Sequence, residues 1–590
     1  MMAGIFVLIY MPARSQRIYT ANSVLAMGNW HKISIAAPGI YRIDLPFLTS
    51  LGINTASLSS SSVRLFGNGG QMLPEKPVEP KPDDLIENAL WIEDGGDGLL
   101  NGSDYLLFYA PGAHAWLKDS ANKSFHHQKN TYSDTSYYYI TVGQNGKRIA
   151  TTNLTTPSNT TVTQGTRSWF YELDTVNFLS SGRQWYGEEF SSNGGKTLSR
   201  TYTVNMPNIQ AVPATMVANC VARSFGTNSR FNISINNQQA MQIEVPATGT
   251  GSYDAFAMAA QSTATFSTAQ SPLSVRFDYT PGSAGSQGWL DWFEVLARID
   301  LSMTGNNQLM FRDWNSVGPG KVGSFIIKNA PADIQVWDVT NSQEPVRMQG
   351  VMNGSEWRFV NECSRLHEYI AFNNTGFLTP VKVGAVANQN LHGSAMPQYI
   401  IITHPDLLGQ AQRLAQYHQQ RDNLASLVVT VNQVYNEFSS GSPDPTALRD
   451  FVKMFYDRAG GDSAKAPKYL LLFGDASFDY RARISNNTNL VPSWESPVSL
   501  DPLSTYTSDD YFGLLGDNDD INGTGTYLLD IGIGRIPAKN EREAQAIVDK
   551  IVAYNDAKSL GPWRNECTFV ADDEDNNLHV QDAELMTQAV

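Results

Sequence analysis

From Ser23 to about Asn390 the chain is written in short runs of alternating apolar and polar residues, broken at close intervals by Gly, Asn, Pro and Ser. Trp30–Ile35 (WHKISI), Tyr137–Val142 (YYYITV), Phe231–Ile235 (FNISI) and Leu273–Tyr279 (LSVRFDY) are examples, each bounded by turn residues. A period of two puts the apolar side chains on one face of an extended segment, which predicts antiparallel strands with one buried face. A Thr/Ser/Asn-rich stretch from Thr151 to Thr166 reads as a linker, and a second seam falls near Asp300–Asn307. The expected division is an N-terminal β domain over 16–165, a β-sandwich over 166–305 and a third β domain over 306–395. No short repeat at a fixed period is present, which argues against a propeller or solenoid.

After Ala395 the pattern changes. Tyr399–Thr403 (YIIIT) is a wholly apolar strand, and Leu407, Leu408, Ala411, Leu414 and Ala415 then recur at helical spacing. Ser426–Val431 predicts a second strand. Asp444 before Pro445 predicts an N-cap and first helical position, with Leu448, Phe451, Val452 and Phe455 on one face. Strands follow at Tyr469–Phe473 and Tyr527–Arg535, then a helix opened by Asn540 and Glu543, then a strand at Cys567–Val570 that exits into Asp572–Asp575. Strands buried on both faces and alternating with helices predict a doubly wound, caspase-like α/β layer over 396–590. The fold class expected is therefore multidomain: N-terminal antiparallel β domains followed by an incomplete α/β domain.

Composition narrows the function. Only 17% of the 590 residues are charged, and the net charge is −15. No basic stripe is visible, so nucleic acid is excluded as a partner. Cys220, Cys363 and Cys567 are too far apart and too few to write a disulfide framework or a zinc site; three free thiols, or one disulfide and a spare, both remain open. Gly4–Ala13 is apolar but too short to span a bilayer, and Ala13-Arg14-Ser15 fits a small-x-small cleavage site before Gln16. An export leader over 1–15 is expected, the alternative being a truncated start or a buried strand.

Parallel sheets carry their chemistry beyond the carboxyl ends of the strands, which directs attention to Asp475 and Arg535. The sequence Asn518-x-Asp520-x-Asn522-Gly523 copies the early oxygen positions of a calcium loop, with Asp517 and Asp519 beside it but no closing Glu. Asp572, Asp573 and Asp575 offer a second calcium site, and Asp94, Asp97, Asn101 and Asp104 a third; a solvated acidic turn is the competing reading of each. Cys567 opens an apolar strand and reads as a structural thiol. His404, His418 and His579 read as ordinary helix-end or surface residues, and neither a Ser-His-Asp order nor an HExxH spacing occurs.

Longer blocks carry a resemblance. YLLLFGDASFDY (Tyr469–Tyr480), TSDDYFGLL (Thr507–Leu515), LDIGIGRIPAKNEREAQAIVDKI (Leu529–Ile551) and VADDEDNN (Val570–Asn577) resemble the catalytic domain of gingipain-type cysteine peptidases. Ser23–Leu45, Ser181–Phe190, Gly288–Arg298 and Val386–His392 resemble the PorU-type sortases of the type IX secretion system. The resemblance implies a cell-surface cysteine endopeptidase that removes the C-terminal secretion domain of cargo proteins. Its implied partners are that cargo, outer-membrane secretion components and anionic lipopolysaccharide as acceptor of the new carboxyl terminus. It implies a carboxylate at Asp530 supporting the catalytic His, an edge-strand Asp in solvent being the alternative. It places the His-Gly turn and the strand-end Cys downstream of VADDEDNN, beyond Val590. The competing reading is a noncatalytic surface adhesin with a degenerate peptidase layer.

Overall fold

The computed structural model describes residues 17–152 and 154–589; the expected leader and its cleavage site lie outside them. Six sheets build the β region among the described residues, and three of them set its frame. Trp30–Ile35 sits between Ser136–Val142 and Val381–Val386, antiparallel to both. Gln287–Asp300 is the hub of a ten-stranded sheet, pairing with Gln164–Glu172 on one side and Ala214–Arg223 on the other. A four-stranded sheet of Ser199–Val204, Leu273–Thr280, Ser229–Ile235 and Gln238–Val245 closes over it, burying Phe231, Phe277, Phe293 and Val295 between the two.

The expected seams do not separate these sheets. The 165/166 boundary falls inside Gln164–Glu172, and the expected linker holds two short strands, Ala150–Thr152 and Thr160–Val162, that pair in parallel with Val346–Met348 and Val322–Ile327. Polar β-branched residues suit an edge strand as well as a linker, so composition alone does not separate the two. The 306–395 segment adds Gln308–Arg312, Gln335–Asp338 and Glu368–Phe372 to the ten-stranded sheet and then returns Val381–Val386 to the N-terminal one.

The C-terminal layer is a parallel sheet of β1 (Tyr399–Thr403), β2 (Ser426–Thr430), β3 (Tyr469–Phe473) and β4 (Gly532–Ile536), in the order β2-β1-β3-β4. Its helices are α1 (Leu408–Asp422), α2 (Val431–Phe438), α3 (Pro445–Arg458) and α4 (Glu541–Tyr554). The period of two explains the doubly wound arrangement. Ile400, Ile402, Leu470 and Leu472 pack with α2 and α3 on one face. Ile401, Leu471 and Phe473 pack with α1 and α4 on the other.

Two predicted elements differ. Tyr527–Asp530 is irregular and exposes Leu528 and Leu529, so β4 begins only at Gly532. Cys567–Val570 is not a strand: the segment pairs with nothing among the described residues and leaves Val570 90% exposed. An apolar run becomes a strand only where a sheet edge accepts its backbone.

Candidate functional site at the carboxyl edge of the parallel sheet

β3 runs into Gly474, whose φ of +155° and the Val491 methyl, only 2.8 Å from where a Cβ would stand, leave room for glycine alone. The chain turns there so that Asp475 N–H donates to Ala538 O (3.0 Å) and Asp475 O accepts from Leu490 and Val491. The Asp475 carboxylate accepts from Thr488 Oγ1 at 2.5 Å and lies 3.9 Å from Lys539 Nζ. It is the one predicted strand-end carboxylate that sits at the edge with a half-exposed cation beside it.

Arg535 is committed elsewhere. Its guanidinium holds Asp509 through two hydrogen bonds (2.6 and 2.7 Å) and donates to the carbonyls of Gly474, Val491 and Pro492. It pins the start and middle of the β3–β4 connection to the sheet, a bidentate task suited to Arg. The rest of that connection is clamped by the β modules: Gly182 N–H donates to Glu495 Oε2 (2.9 Å), Arg183 N–H to Ser496 O (3.0 Å) and Phe256 N–H to Leu500 O (2.7 Å).

Asp530 lies before β4, at the opposite, amino end of the sheet. Oδ1 accepts from Tyr456 Oη (2.9 Å) and Oδ2 from Leu515 N–H (3.0 Å). It thus ties the chain entering β4 to α3, a strand's length away from Asp475.

The expected calcium ligands face lysines. Asp517 Oδ1 is 2.9 Å from Lys453 Nζ, and Asp520 Oδ2 is 3.0 Å from Lys76 Nζ. Asp520 Oδ1 accepts from Asn522 N–H, and the Asn522 amide donates to Glu75 Oε2 at 2.9 Å. Asn518, between them, is also engaged in contacts. Asp572 and Asp573 are exposed beside the irregular Cys567 segment. Among the described residues no three His, Cys, Asp or Glu side chains gather as a metal set. The turn at Asp94–Asp104 likewise spends its carboxylates on Ser60, Asn101 and local N–H groups.

The three thiols are free. Burial raises the pKa of Cys220 and Cys363, while Cys567 is exposed. His404 caps the turn at Asp406 with Nδ1 (3.3 Å), and His418 pairs with Asp422. The edge therefore presents a preformed floor, made of Gly474, Asp475, Thr488 and Lys539, without a thiolate–imidazole pair on it.

Sequence reasoning missed the polar nodes that fix this layer against the β modules. The Glu75 carboxylate pairs with Arg183 and accepts from Trp494 Nε1 (3.2 Å), while its carbonyl accepts from Arg449. His392, wholly buried, places Nδ1 2.6 Å from Glu437 and Nε2 3.3 Å from Asp83. Burial works against its charge, but the two carboxylates prevail and lift its pKa to about 9. Arg183 and His392 stand within blocks that carry the sequence resemblance, which was the available signal; their partners, 45 to 309 residues away along the chain, left none.

Residues 392–590 match the family described as peptidase family C25. The crystal structure of dimeric latent PorU from Porphyromonas gingivalis superposes with a TM-score of 0.80 at 27% identity, over 95% of this chain and 53% of that one. The chain thus spans about half the length of the PorU structure it matches. The C-terminal CBM6 module of LamC from Zobellia galactanivorans covers 22% of this chain at 14% identity, with a TM-score of 0.14 that establishes no shared fold. No curated protein sequence matches the chain.

Proposed function

Because residues 392–590 belong to the C25, gingipain-type cysteine peptidase family, we propose that this chain is the leading part of a PorU-like endopeptidase of the type IX secretion system. It works at the cell surface, removing the C-terminal secretion domain of exported cargo in concert with outer-membrane components, with anionic lipopolysaccharide as an acceptor. The observation that carries this is the superposition on PorU across 95% of the chain, β modules included. A lone peptidase layer would match only the last third. No helix among the described residues is long and apolar enough to cross a membrane.

The chemistry requires a thiolate, an imidazole to activate it and protonate the leaving amine, and backbone donors for the oxyanion. The floor at Gly474–Asp475 supplies a position for them. β4 pairs only with β3 among the described residues, which leaves an edge where further strands bearing the His and Cys can add. The test is the contiguous gene read and expressed past Val590. It should contain a His-Gly turn and a strand-end Cys, cleave a cargo C-terminal domain and take up a thiol-directed active-site probe, whereas residues 1–590 alone should do neither. An extended gene lacking the pair would sink the peptidase reading.

A further inference from the structure

A cavity of about 960 Å³ opens where the three modules meet. The N-terminal module contributes residues 71–79 and 127–132, the sandwich contributes Glu172, Asp174, Trp185, Asp291 and Trp292, and the α/β layer contributes Arg483 and Asp520. Its mouth is marked by Lys76 and Glu79, both exposed.

Of the carboxylates that line it, Glu75 is paired with Arg183 and Asp520 with Lys76, and among Glu172, Asp174 and Asp291 only Asp174 is neutralised. Asp174 takes three cations: Lys129 Nζ at 2.8 Å, Arg483 at 2.7 Å and Arg481 at 3.3 Å. Arg481 is shared with Asp134, and Arg483 with Asp479. Asp291, 9% exposed, accepts one hydrogen bond from Asn219 Nδ2 (2.8 Å) and meets no cation within 4 Å among the described residues. The Glu172 carboxylate accepts no hydrogen bond among them, and the basic atom nearest it is His127 Nδ1, 3.8 Å away. That imidazole is only 4% exposed and stacks on Phe170 at 3.3 Å. Burial, aided by His114 and Lys129, holds it neutral, with a pKa pushed down to about 3. Its buried Nε2 has no partner. A buried carboxylate without a cation is costly, and two side by side more so. Burial lifts Glu172 to about 7 against the pull of Lys129 and Arg483, and burial together with Glu172 and Asp174 raises Asp291 well above the ordinary carboxylate range.

We propose that this cavity is a binding site for a guanidinium or ammonium side chain of an extended peptide, received between the carboxylates of Glu172 and Asp291. A metal ion is the poorer occupant, because no three-ligand set converges there among the described residues. An organic cation needs only two acceptors and an aromatic wall. The wall is Trp292, which also lines the cavity; Trp185 is already engaged by Arg483 at 4.6 Å and by Phe478 at 5.6 Å. The volume exceeds one side chain and admits the flanking backbone.

The site is read without any activity. Calorimetric titration of the folded chain with an acetylated, amidated Gly-Arg-Gly-Ser peptide should give saturable binding at least tenfold tighter than the same peptide with citrulline. Binding should strengthen about tenfold from pH 5.5 to pH 8 as Glu172, lifted to about 7, ionises, the facing His127 and His114 staying neutral, pushed down to about 3 and 4, and Lys129 and Arg483 remaining on Asp174. A Glu172→Gln/Asp291→Asn variant should lose it and melt no lower than the wild type, since neither change takes a partner from a lysine or arginine. No binding, equal binding of the citrulline peptide, or a folded double variant that binds as before would each overturn the site. If the double variant misfolds, the citrulline and pH arms on the wild type still decide.

Discussion

His392 shows how one side chain can join modules far apart in the sequence. Its imidazole bridges Glu437 of α2 and Asp83 of the N-terminal module and stacks on Phe438 at 4.7 Å. Folding raises its pKa from 6.5 to about 9, so its contribution to stability is fully present below about 6.5 and is lost as the pH rises through 9. Asp83 is held low by His392 and Thr20 despite burial; its contribution is present above its unfolded value near 3.8 and falls away in acid. Denaturant melts from pH 5 to 10 should show a decline on the alkaline side that His392→Ala removes, together with a loss of about 3–5 kcal/mol at pH 6, because the substitution leaves two buried carboxylates unpaired. Unchanged melts would mean that the bridge does not hold the modules. At Asp530, replacement by Asn keeps the shape but weakens acceptance from Tyr456 and Leu515, and a loss of about 1–3 kcal/mol in the same melts is expected. In the extended enzyme, loss of cleavage by a fully stable Asp530→Asn variant would instead speak for a catalytic role.

At the scale of elements, helix ends follow local rules. Asp444 caps α3 through Thr446 N–H with Pro445 first, and Asn540 caps α4 through Glu543 N–H. Glu543 reaches back one residue further than expected, to Lys539 N–H. α2 was not foreseen, although Thr430 and Gln433 form a capping box that the sequence displays. Thr430→Ala should therefore cost about 1 kcal/mol in denaturant melts. The acidic 517–522 loop behaves as a contact element. Its carboxylates are satisfied by Lys453 and Lys76, so the melting temperature is expected to be the same in calcium and in chelator; a clear rise with calcium would show that the lysines give way.

Across the whole molecule, the β modules act as a frame for the β3–β4 connection. Asp174 gathers Lys129, Arg481 and Arg483 from the modules on either side, and Trp185 stacks on Phe478 at 5.6 Å. Removing this carboxylate leaves three cations facing one another. Asp174→Ala should expose residues 476–500 to limited proteolysis at least fivefold faster than in the wild type, with the parallel sheet intact by circular dichroism. Equal cleavage rates would assign the clamping to the backbone contacts at Gly182 and Arg183 alone.

Local patterning determined much of this protein: the antiparallel alternation before Asn390, the continuous apolar strands after it, the helix caps and the doubly wound order. Each depends on residues within one or two turns of each other, so the chain spells it directly. The blocks that resemble C25 peptidases and PorU agree with the family match at residues 392–590 and with the superposition on PorU. Only the tertiary structure decided which edges the strands join. Gln164–Glu172 crosses an expected boundary because Gln287–Asp300 offers it a partner, and Cys567–Val570 stays irregular among the described residues because it meets none. The fate of charges was equally hidden. Whether Asp520 meets calcium or Lys76, whether Asp530 stands at the carboxyl or the amino end of β4, and whether Glu172 finds a counter-ion depend on side chains brought together from distant parts of the chain. Electrostatic energy depends on distance and burial, and neither is written in sequence spacing.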